Sequence, residues 1–376
     1  MFLRSYNLKK YSFLLLISAL LLAVIGVLVI HSAVAGTTDA DIYTKQIMGI
    51  GIGLAVCIFL SMVDYHLYIR FFPVVYVTCC LLLLFVLLKG EVHGGAKRWL
   101  RFPVIGQIQP SEFSKIFLIL SWAGLFTWLD DRLNKPWAVG VTILFSAVPL
   151  GLIFKEPDLS TTIACGLIFV TMIYVAKISY KWILGVLAVL IPSGIGFTIF
   201  LLKNEEKLVE KFYMVRRIMA FLNPKKYADL YYQQENSMMA IGSGGLFGKG
   251  LNNTTFESVK NGHFLSEAQT DFIFAVVGEE LGFAGAIVIL GLTMTMIVVC
   301  LNIARQAKDL SGRLICCGYA ALLAFQTFIN VCVATGMMPN TGIPFPFVSY
   351  GLSSLLAMFI GLGIVLNVGL QRGGKY

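Results

Sequence analysis

The stretch FIFAVVGEELGFAGAIVILGLTMTMIVVCL, which covers residues 272–301, decides the fold class of this chain. Its charged side chains are Glu279 and Glu280 alone. A helix needs about 20 consecutive, mostly apolar residues to cross a bilayer, and this run is longer. We therefore predict a membrane-spanning helix that tilts or extends beyond the bilayer.

The composition of the whole chain also indicates a membrane protein. Of the 376 residues, 58% are hydrophobic and 13% are charged, whereas a soluble chain has about 25% charged residues. This composition excludes a cytosolic enzyme, a disordered scaffold and a secreted disulfide-rich domain. The net charge of +9 would suggest a nucleic-acid partner for a soluble protein, but in a membrane protein it is typical of basic cytoplasmic loops.

Ten apolar stretches are long enough to span a bilayer, which predicts an all-α polytopic membrane protein with one domain over residues 1–376. The first stretch ends in Ala33-Val34-Ala35, which resembles a signal-peptide cleavage site, but its apolar run is too long and we interpret it as retained. The ten stretches are 11–34, 44–63, 72–89, 112–129, 138–154, 159–176, 182–202, 272–301, 313–335 and 347–370.

The distribution of Lys and Arg predicts the orientation. Ten spans put both termini on one side, and placing them inside gives the inner segments more basic residues than the short outer loops. The basic excess then lies on the cytoplasmic face, so it is no evidence for nucleic acid. The inner loops are too short for a catalytic domain. The polar sequence lies in three outer segments, 90–111, 203–271 and 336–346, and the longest connects helices 7 and 8.

The cysteines give no sign of a cofactor. All eight lie within apolar runs, without a CxxC pattern or a neighbouring His. This pattern argues against a zinc or redox site and favours small packing residues.

The long outer segment contains two informative patterns. Residues Lys211–Leu222 mix apolar and basic side chains, which predicts an amphipathic helix that either lies at the membrane interface or caps the bundle. The glycine-rich run Ile241–Gly250 fails as a Walker A loop, because Ser243 replaces its leading glycine and Gly250 its final Ser or Thr. It indicates tight turns, or backbone N–H groups that meet a lipid pyrophosphate.

Ionisable residues collect at the outer ends of three spans. Glu112 and Lys115 share one helix face, Asp158 opens the sixth span and Asp271 opens the eighth. Helix capping accounts for the aspartates, but a lysine at a helix N-terminus opposes the helix dipole. Ionisable residues within a membrane usually mark function. They predict a cavity that is open to the outer leaflet and suits a ligand with a lipid tail and a polar head.

These motifs resemble those of the SEDS family (shape, elongation, division and sporulation), the RodA/FtsW/SpoVE group. The chain departs from the family at Leu352, where glycine is usual, at Ser160, also usually glycine, and at residues 264–269, which replace a Leu-Pro pair. Its length and short tails are similar to RodA-like members. The matching segments are 95–100, 109–112, 156–159, 217–224, 240–246, 270–283 and 341–351.

The resemblance implies a peptidoglycan glycosyltransferase that polymerises lipid II outside the bacterial cytoplasmic membrane. It implies a class B penicillin-binding protein as partner and activator, and other membrane proteins of the elongation or division machinery. Asp271 matches the family's essential acidic position. Residues that match positions lining or supporting the substrate cavity are Trp99, Arg98, Glu112, Lys115, Asp158, Arg217, Glu279 and Ser349.

The chemistry sets what these residues must do. Lipid II carries an α-linked pyrophosphate and the polymer is β-1,4 linked, so a single inverting displacement needs a base on the acceptor hydroxyl. Asp271 is our candidate base, or it positions a divalent cation such as Mg²⁺ or Mn²⁺. Lys115, Arg98 and Arg217 are candidates to hold the pyrophosphate charge. Trp99 either stacks on a sugar ring or anchors the chain at the interface.

Two other functions stay open at this stage. A lipid II flippase would place its site near the midplane, between internal repeats with broken helices. The charged Glu279 and Glu280 and the chain break expected at Pro344 and Pro346 leave that alternative open. A structural scaffold for the partner protein would leave Lys115 and Asp271 without a task. Reconstitution with labelled lipid II distinguishes polymer, translocation and neither.

Overall fold

A computed structural model describes residues 10–35, 41–93, 96–102, 106–205, 208–209, 212–252 and 268–372. The strands are β1 Glu91–His93, β2 Ala96–Phe102 and β3 Gly106–Ile108. The helices are α1 Phe13–Ala33, α2 Ile42–Met62, α3 Tyr65–Arg70, α4 Phe72–Lys89, α5 Pro110–Leu129, α6 Pro136–Lys155, α7 Leu159–Val175, α8 Tyr180–Lys203, α9 Tyr213–Leu222, α10 Ala228–Ser243, α11 Ile273–Gln306, α12 Leu310–Ala334 and α13 Leu352–Gln371.

The prediction of a helical, polytopic membrane protein is confirmed. By length and composition, eight helices in the described part of the chain can cross a membrane: α1, α2, α4, α5, α6, α11, α12 and α13. The sixth predicted span coincides with α7, which has 17 residues, and the seventh with α8, which contains Pro192. The count of ten spans therefore stays a prediction.

The centre of the bundle is formed by α5, α12 and α13. In an apolar 18-residue stretch of each helix, 78% of the residues are buried in α5, 78% in α12 and 83% in α13, compared with 17% in α4 and 22% in α11. Seven of the eight cysteines are buried and all eight are free thiols, which agrees with their interpretation as packing residues. The helices that begin or end near the candidate site are thus the ones that neighbouring helices hold most firmly.

A small sheet follows α4, where the sequence predicted only a polar segment. The strands are antiparallel in the order β1-β2-β3, with Glu91 opposite Trp99 and Leu100 opposite Ile108. The Lys97 ammonium donates to the carbonyls of Leu87 and Leu88, both at 3.0 Å. These carbonyls end α4 and have no partner within the helix, so Lys97 attaches the sheet to the bundle.

The long segment between α8 and α11 contains two helices. The predicted amphipathic helix is present as α9, which buries Val215 and Met219 against Leu201; Lys211 lies outside the described residues. In α10, the Gln234 amide donates to the carbonyls of Val333 at 2.8 Å and of Met338 at 2.7 Å. This helix therefore covers the C-terminal end of α12. Most of the departure at residues 264–269 also lies outside the described residues.

Helix α11 is broken at Gly282, whose φ of 65° and ψ of −164° are not helical. The glycine-rich run supplies the missing hydrogen bonds. Phe283 and Ala284 donate their N–H groups to Gly245 and Leu246, at 2.9 and 3.0 Å. In the other direction, Lys249 and Gly250 donate to the carbonyls of Glu279 and Glu280, also at 2.9 and 3.0 Å. This placement supports tight turns as the reading of the run.

Candidate active site

A cavity of about 260 Å³ opens at the end of the bundle where α5 and α13 begin. Five elements contribute to it: the β2–β3 hairpin, the first turn of α5, helix α9, the residues before α11 and the loop before α13. The lining residues are Arg98, Trp99, Gln107, Gln109, Glu112, Arg217, Thr270, Asp271, Gly342, Pro344, Tyr350, Gly351, Ser353 and Ser354.

Asp271 and Arg217 meet at Gly342. A Cβ atom on Gly342 would lie 2.9 Å from Asp271 Oδ2 and 3.3 Å from Arg217 Nη1. Gly342 has a φ of 71°, which glycine adopts without a steric penalty. The Arg217 guanidinium also donates to the Asn340 carbonyl at 3.3 Å. A carboxylate and a guanidinium from distant parts of the chain thus share one wall of the cavity.

The expectation that Asp271 caps its helix is wrong. Helix α11 begins at Ile273, and its N-cap residue is Phe272, whose side chain makes no capping hydrogen bond. The helix dipole acts most strongly within the first turn, and Asp271 lies just before that turn. Its backbone carbonyl accepts a hydrogen bond from the Asn330 side chain at 3.0 Å.

Glu112 and Lys115 form a buried ion pair behind the cavity. Lys115 Nζ lies 2.8 Å from Glu112 Oε2 and donates to Gln326 Oε1 at 3.1 Å. Lys115 has no exposed surface, and of the pair Glu112 alone lines the cavity. Lys115 therefore acts on the cavity through Glu112. The N-cap residue of α5 is Gln109.

Asp158 joins three elements of the cavity wall. It caps α7 by accepting from the Thr161 N–H at 3.1 Å, as the sequence predicted. Its other oxygen accepts from Gln109 Nε2 and Ser111 Oγ, both at 3.2 Å. Arg98 Nη1 lies 4.0 Å from the same carboxylate. Asp158 thus holds Arg98 in place and does not line the cavity itself.

Glu156 is a feature that sequence reasoning missed. Its side chain has no exposed surface, and neither carboxyl oxygen has a hydrogen-bond partner. Burial, and to a smaller extent the nearby Asp158, raises the pKa of this carboxyl to about 9, although Arg98 opposes the shift. The carboxyl is therefore neutral at pH 7, and Arg98 faces one negative carboxylate rather than two. The signal was the spacing of two acids in Glu156-Pro157-Asp158.

Ser349 and Glu279 lie outside the cavity lining. Ser349 Oγ accepts from the Phe345 N–H and donates to the Thr270 carbonyl, both at 2.7 Å. It therefore joins the loop before α13 to the residues before α11. Glu279 forms an ion pair with Lys249 at 3.0 Å beside the break in α11. Their direct contact with substrate stays a prediction.

Two polar residues of α12 were also missed. Gln326 donates to the Pro344 carbonyl at 2.8 Å, and Asn330 donates to the Ile343 carbonyl at 2.7 Å. They are four residues apart in an apolar helix and so share one face. That spacing was the available signal. Both side chains position the loop that carries Gly342.

The charges that line the cavity are mixed. Arg98 and Arg217 are the cations, and Glu112 and Asp271 are the anions. Cations preorganised in this way suit a phosphate or pyrophosphate, and a carboxylate within the same cavity can accept a proton. Within the described residues, no group of three or more His, Cys, Asp or Glu could hold a metal ion.

Fold and cavity together define a polytopic membrane protein with a cavity at one end of its helices that two arginines and two acidic residues line. The chain belongs to the FtsW/RodA/SpoVE family of cell cycle proteins, whose family model matches residues 12–373.

Relatives with both the FtsW and the MrdB name are similar to it. A probable peptidoglycan glycosyltransferase FtsW of Geobacter metallireducens is 34% identical, over 98% of this chain and 97% of the relative. The peptidoglycan glycosyltransferase MrdB of Escherichia coli K12 is 32% identical, over 95% of this chain and 93% of the relative. The two identities are nearly equal.

Two solved structures have the same fold. One is from work on polymerisation and crosslinking by a peptidoglycan synthase complex, with a TM-score of 0.76, 26% identity and coverage of 96% of this chain and 97% of that one. The other is the rod shape determining protein RodA of Thermus thermophilus, with a TM-score of 0.69, 26% identity and coverage of 97% and 98%.

Proposed function

We propose that this chain is a peptidoglycan glycosyltransferase, which polymerises lipid II into β-1,4-linked glycan strands at the outer face of the bacterial cytoplasmic membrane. The observation that carries the proposal is the meeting of Asp271 and Arg217 at Gly342, in a cavity that Arg98 also lines. The peptidoglycan glycosyltransferase names of its FtsW and MrdB relatives support the same activity.

Asp271 is the proposed general base. The acceptor 4-hydroxyl attacks the anomeric carbon of the donor sugar, the bond from that carbon to the pyrophosphate oxygen breaks, and the hydroxyl proton passes to the Asp271 carboxylate. One displacement inverts the α-linked donor to a β-linked product. Asp271 lies outside the first turn of α11, so its effect depends on its position beside the acceptor.

Arg217 and Arg98 are the proposed pyrophosphate ligands. Both line the cavity, and guanidinium groups bind phosphate oxygens through paired N–H donors. Lys115 supports them from behind Glu112. Trp99 lines the same cavity, where its ring can stack on a sugar.

A divalent cation such as Mg²⁺ or Mn²⁺ fits this cavity in one way. Asp271 would be its carboxylate ligand from the cavity wall, because Glu112 is already paired with Lys115. Phosphate oxygens of the substrate would complete the coordination. When bound, the cation would neutralise charge on the departing pyrophosphate.

The partner and the orientation belong to the same proposal. A solved structure from work on a peptidoglycan synthase complex has this fold, which supports a class B penicillin-binding protein as partner, with other elongation or division proteins. The positive-inside rule places both termini in the cytoplasm. The cavity then faces the side where lipid II is polymerised.

Purified protein in complex with its transpeptidase, supplied with labelled lipid II, tests the activity. We expect Asp271→Asn to reduce polymerisation by on the order of 10²–10⁴-fold, the usual contribution of a general base. The matched control is Asp131→Asn, in the exposed 3₁₀ turn after α5, which should keep full activity. Near-normal polymer from folded Asp271→Asn protein would reject the assignment, and translocation without polymer would favour a flippase.

A further inference from the structure

We propose that Asn330 is a positioning residue for the glycosyl transfer, which fixes the backbone that carries Asp271 against the loop that carries Gly342. This inference rests on the proposed function. Asn330 lies in α12, one of the most buried helices, and its side chain has no exposed surface. It does not line the cavity and so would act through Asp271 rather than on substrate.

The contacts of Asn330 use both hydrogens of its amide group. Nδ2 donates to the Asp271 carbonyl at 3.0 Å and to the Ile343 carbonyl at 2.7 Å. An amide NH₂ has two donors, so one nitrogen connects two loops. Leucine has a similar volume and no donor. An aspartic acid has one donor when protonated and none when ionised.

These two loops carry the groups that must meet. Ile343 directly follows Gly342, and a Cβ atom added to Gly342 would lie 2.9 Å from Asp271 Oδ2 and 3.3 Å from Arg217 Nη1. The Asn330 bonds therefore set the distance between the base and the cation that holds the leaving group. Displacing a reacting group by about 1 Å can cost on the order of 10²-fold in rate.

The loops have other connections, which is why loss of Asn330 should leave the protein folded. Ser349 Oγ donates to the Thr270 carbonyl at 2.7 Å, and the Tyr350 N–H donates to the Gln269 carbonyl at 2.9 Å. Both hydrogen bonds are donated by residues of the loop before α13. Asn330 reaches the same region from a rigid helix, so we expect its loss to increase local motion rather than to unfold the domain.

The matched control for Asn330→Leu is Asn367→Leu. Asn367 is also fully buried, donates to the Ser61 carbonyl at 2.8 Å and accepts from the Tyr65 N–H at 2.9 Å. Its Oδ1 also accepts from Gln371 Nε2 at 3.0 Å. Asn367 lies in α13, and none of Ser61, Tyr65 and Gln371 lines the cavity. Asn367→Leu therefore loses at least as many buried hydrogen bonds as Asn330→Leu, so a general loss of stability affects it at least as strongly.

The experiment measures lipid II polymerisation by the folded complex, corrected for the amount of folded protein. We expect Asn330→Leu to lower kcat at least tenfold with little change in KM, and Asn367→Leu to keep wild-type kcat. Asn330→Asp should keep partial activity at low pH and lose it as the pH rises. Equal kcat for Asn330→Leu and wild type, or equal losses in both leucine variants, would overturn the proposal.

Hydrogen exchange by mass spectrometry separates this inference from the proposed function. We expect Asn330→Leu to increase exchange in peptides that cover 268–272 and 340–348, and Asn367→Leu to leave these peptides unchanged. Unchanged exchange there in Asn330→Leu would reject the positioning role even if the protein polymerises lipid II. Increased exchange with no polymer from the wild-type protein would instead reject the function.

Discussion

At the scale of single residues, the cavity depends on which carboxyls are charged. Glu112 is neutralised by Lys115 at 2.8 Å, and Asp158 accepts hydrogen bonds from three groups. Glu156 has no such partners, so burial keeps it protonated. Arg98 therefore lies near one charged carboxylate, that of Asp158, rather than two. Of the charged groups that line the cavity, Glu112 is already paired with Lys115, which leaves Arg98, Arg217 and Asp271 to interact with a substrate.

Glu156 predicts a pH dependence of stability. Its pKa of about 9 in the folded protein is above the ordinary value of about 4.3 in an unfolded chain. Between these values the folded state binds one more proton than the unfolded state, so the free energy of unfolding falls as the pH rises. We expect the melting temperature in detergent to decrease from pH 5 to pH 9 in wild type and to decrease less in Glu156→Gln.

The control for this measurement is Glu235→Gln, at an exposed position of α10. It should reproduce the wild-type pH profile. The melting temperature of Glu156→Gln relative to that of wild type should increase towards high pH. Parallel profiles for these two proteins would show that Glu156 is ionised in the folded state.

The residues that sequence could predict are those whose chemistry stands out locally. Asp271 and Glu112 lie at span ends, Arg217 lies in the predicted amphipathic helix, and all three line one cavity. The spacing of Gln326 and Asn330 marks a polar face of α12, but the contact of Asn330 with Asp271 could not be predicted, because it joins positions 59 residues apart. Its function depends on how α12 packs against two loops, and no local pattern encodes that packing.

At the scale of elements, the break in α11 is stabilised by hydrogen bonds from a second segment of the chain. The glycine run from 245 to 250 replaces the helical hydrogen bonds that Gly282 interrupts, and an unpaired backbone group would be costly in an apolar environment. The short first part of α11 directly follows Asp271. The run that resembled a phosphate loop thus fixes the helix that begins beside the candidate base.

We therefore expect Gly282→Ala to destabilise the fold by more than about 1 kcal/mol. Its φ of 65° is unfavourable for alanine, and the added Cβ would lie 2.3 Å from the Gly248 nitrogen. Gly291→Ala in the same helix is the control. No atom lies within 4 Å of its added Cβ, so it should be neutral or stabilising by up to about 1 kcal/mol.

Thermal melting in detergent compares the two variants, with limited proteolysis between residues 244 and 252 as a second readout. Earlier melting and faster cleavage are expected for Gly282→Ala only. If Gly282→Ala has the same melting temperature as wild type, the positive-φ break in α11 is not a feature of the folded protein.

Sequence predicted helices better than it predicted the sheet. Long apolar runs identify helices by length alone, and α9 shows a helical pattern of apolar and basic residues. The strands β1 to β3 are three to seven residues long and carry no such signal. They form because β2 pairs with both neighbours and Lys97 binds the end of α4, which are contacts that only the folded chain provides.

At the scale of the whole molecule, the rigid centre and the site coincide. The loops before α11 and α13 bear Asp271 and Gly342 and are held by Asn330 and Gln326 of α12, whereas the less buried α4 and α11 lie towards the outside. A transporter needs its site at a movable interface between repeats. A site attached to the most buried helices suits a reaction between fixed groups.

The orientation of the molecule follows from charge, and it can be measured with single cysteines. The excess of basic residues predicts cytoplasmic termini, which puts α10 outside and the turn after α5 inside. Seven native cysteines are buried and Cys80 is partly buried, so the parent protein should react little with a membrane-impermeant maleimide. Tyr232 in α10 is 45% exposed, and Asp131 in the turn is also exposed.

In intact cells stripped of their outer permeability barrier, we expect Tyr232→Cys to be labelled and Asp131→Cys to be protected. After the membrane is permeabilised, both should react, because both side chains are exposed. The reverse pattern in intact cells would invert the molecule and move the cavity to the cytoplasmic face. A base at Asp271 could then not act on lipid II outside the membrane, so this labelling pattern tests the topology and the proposed reaction together.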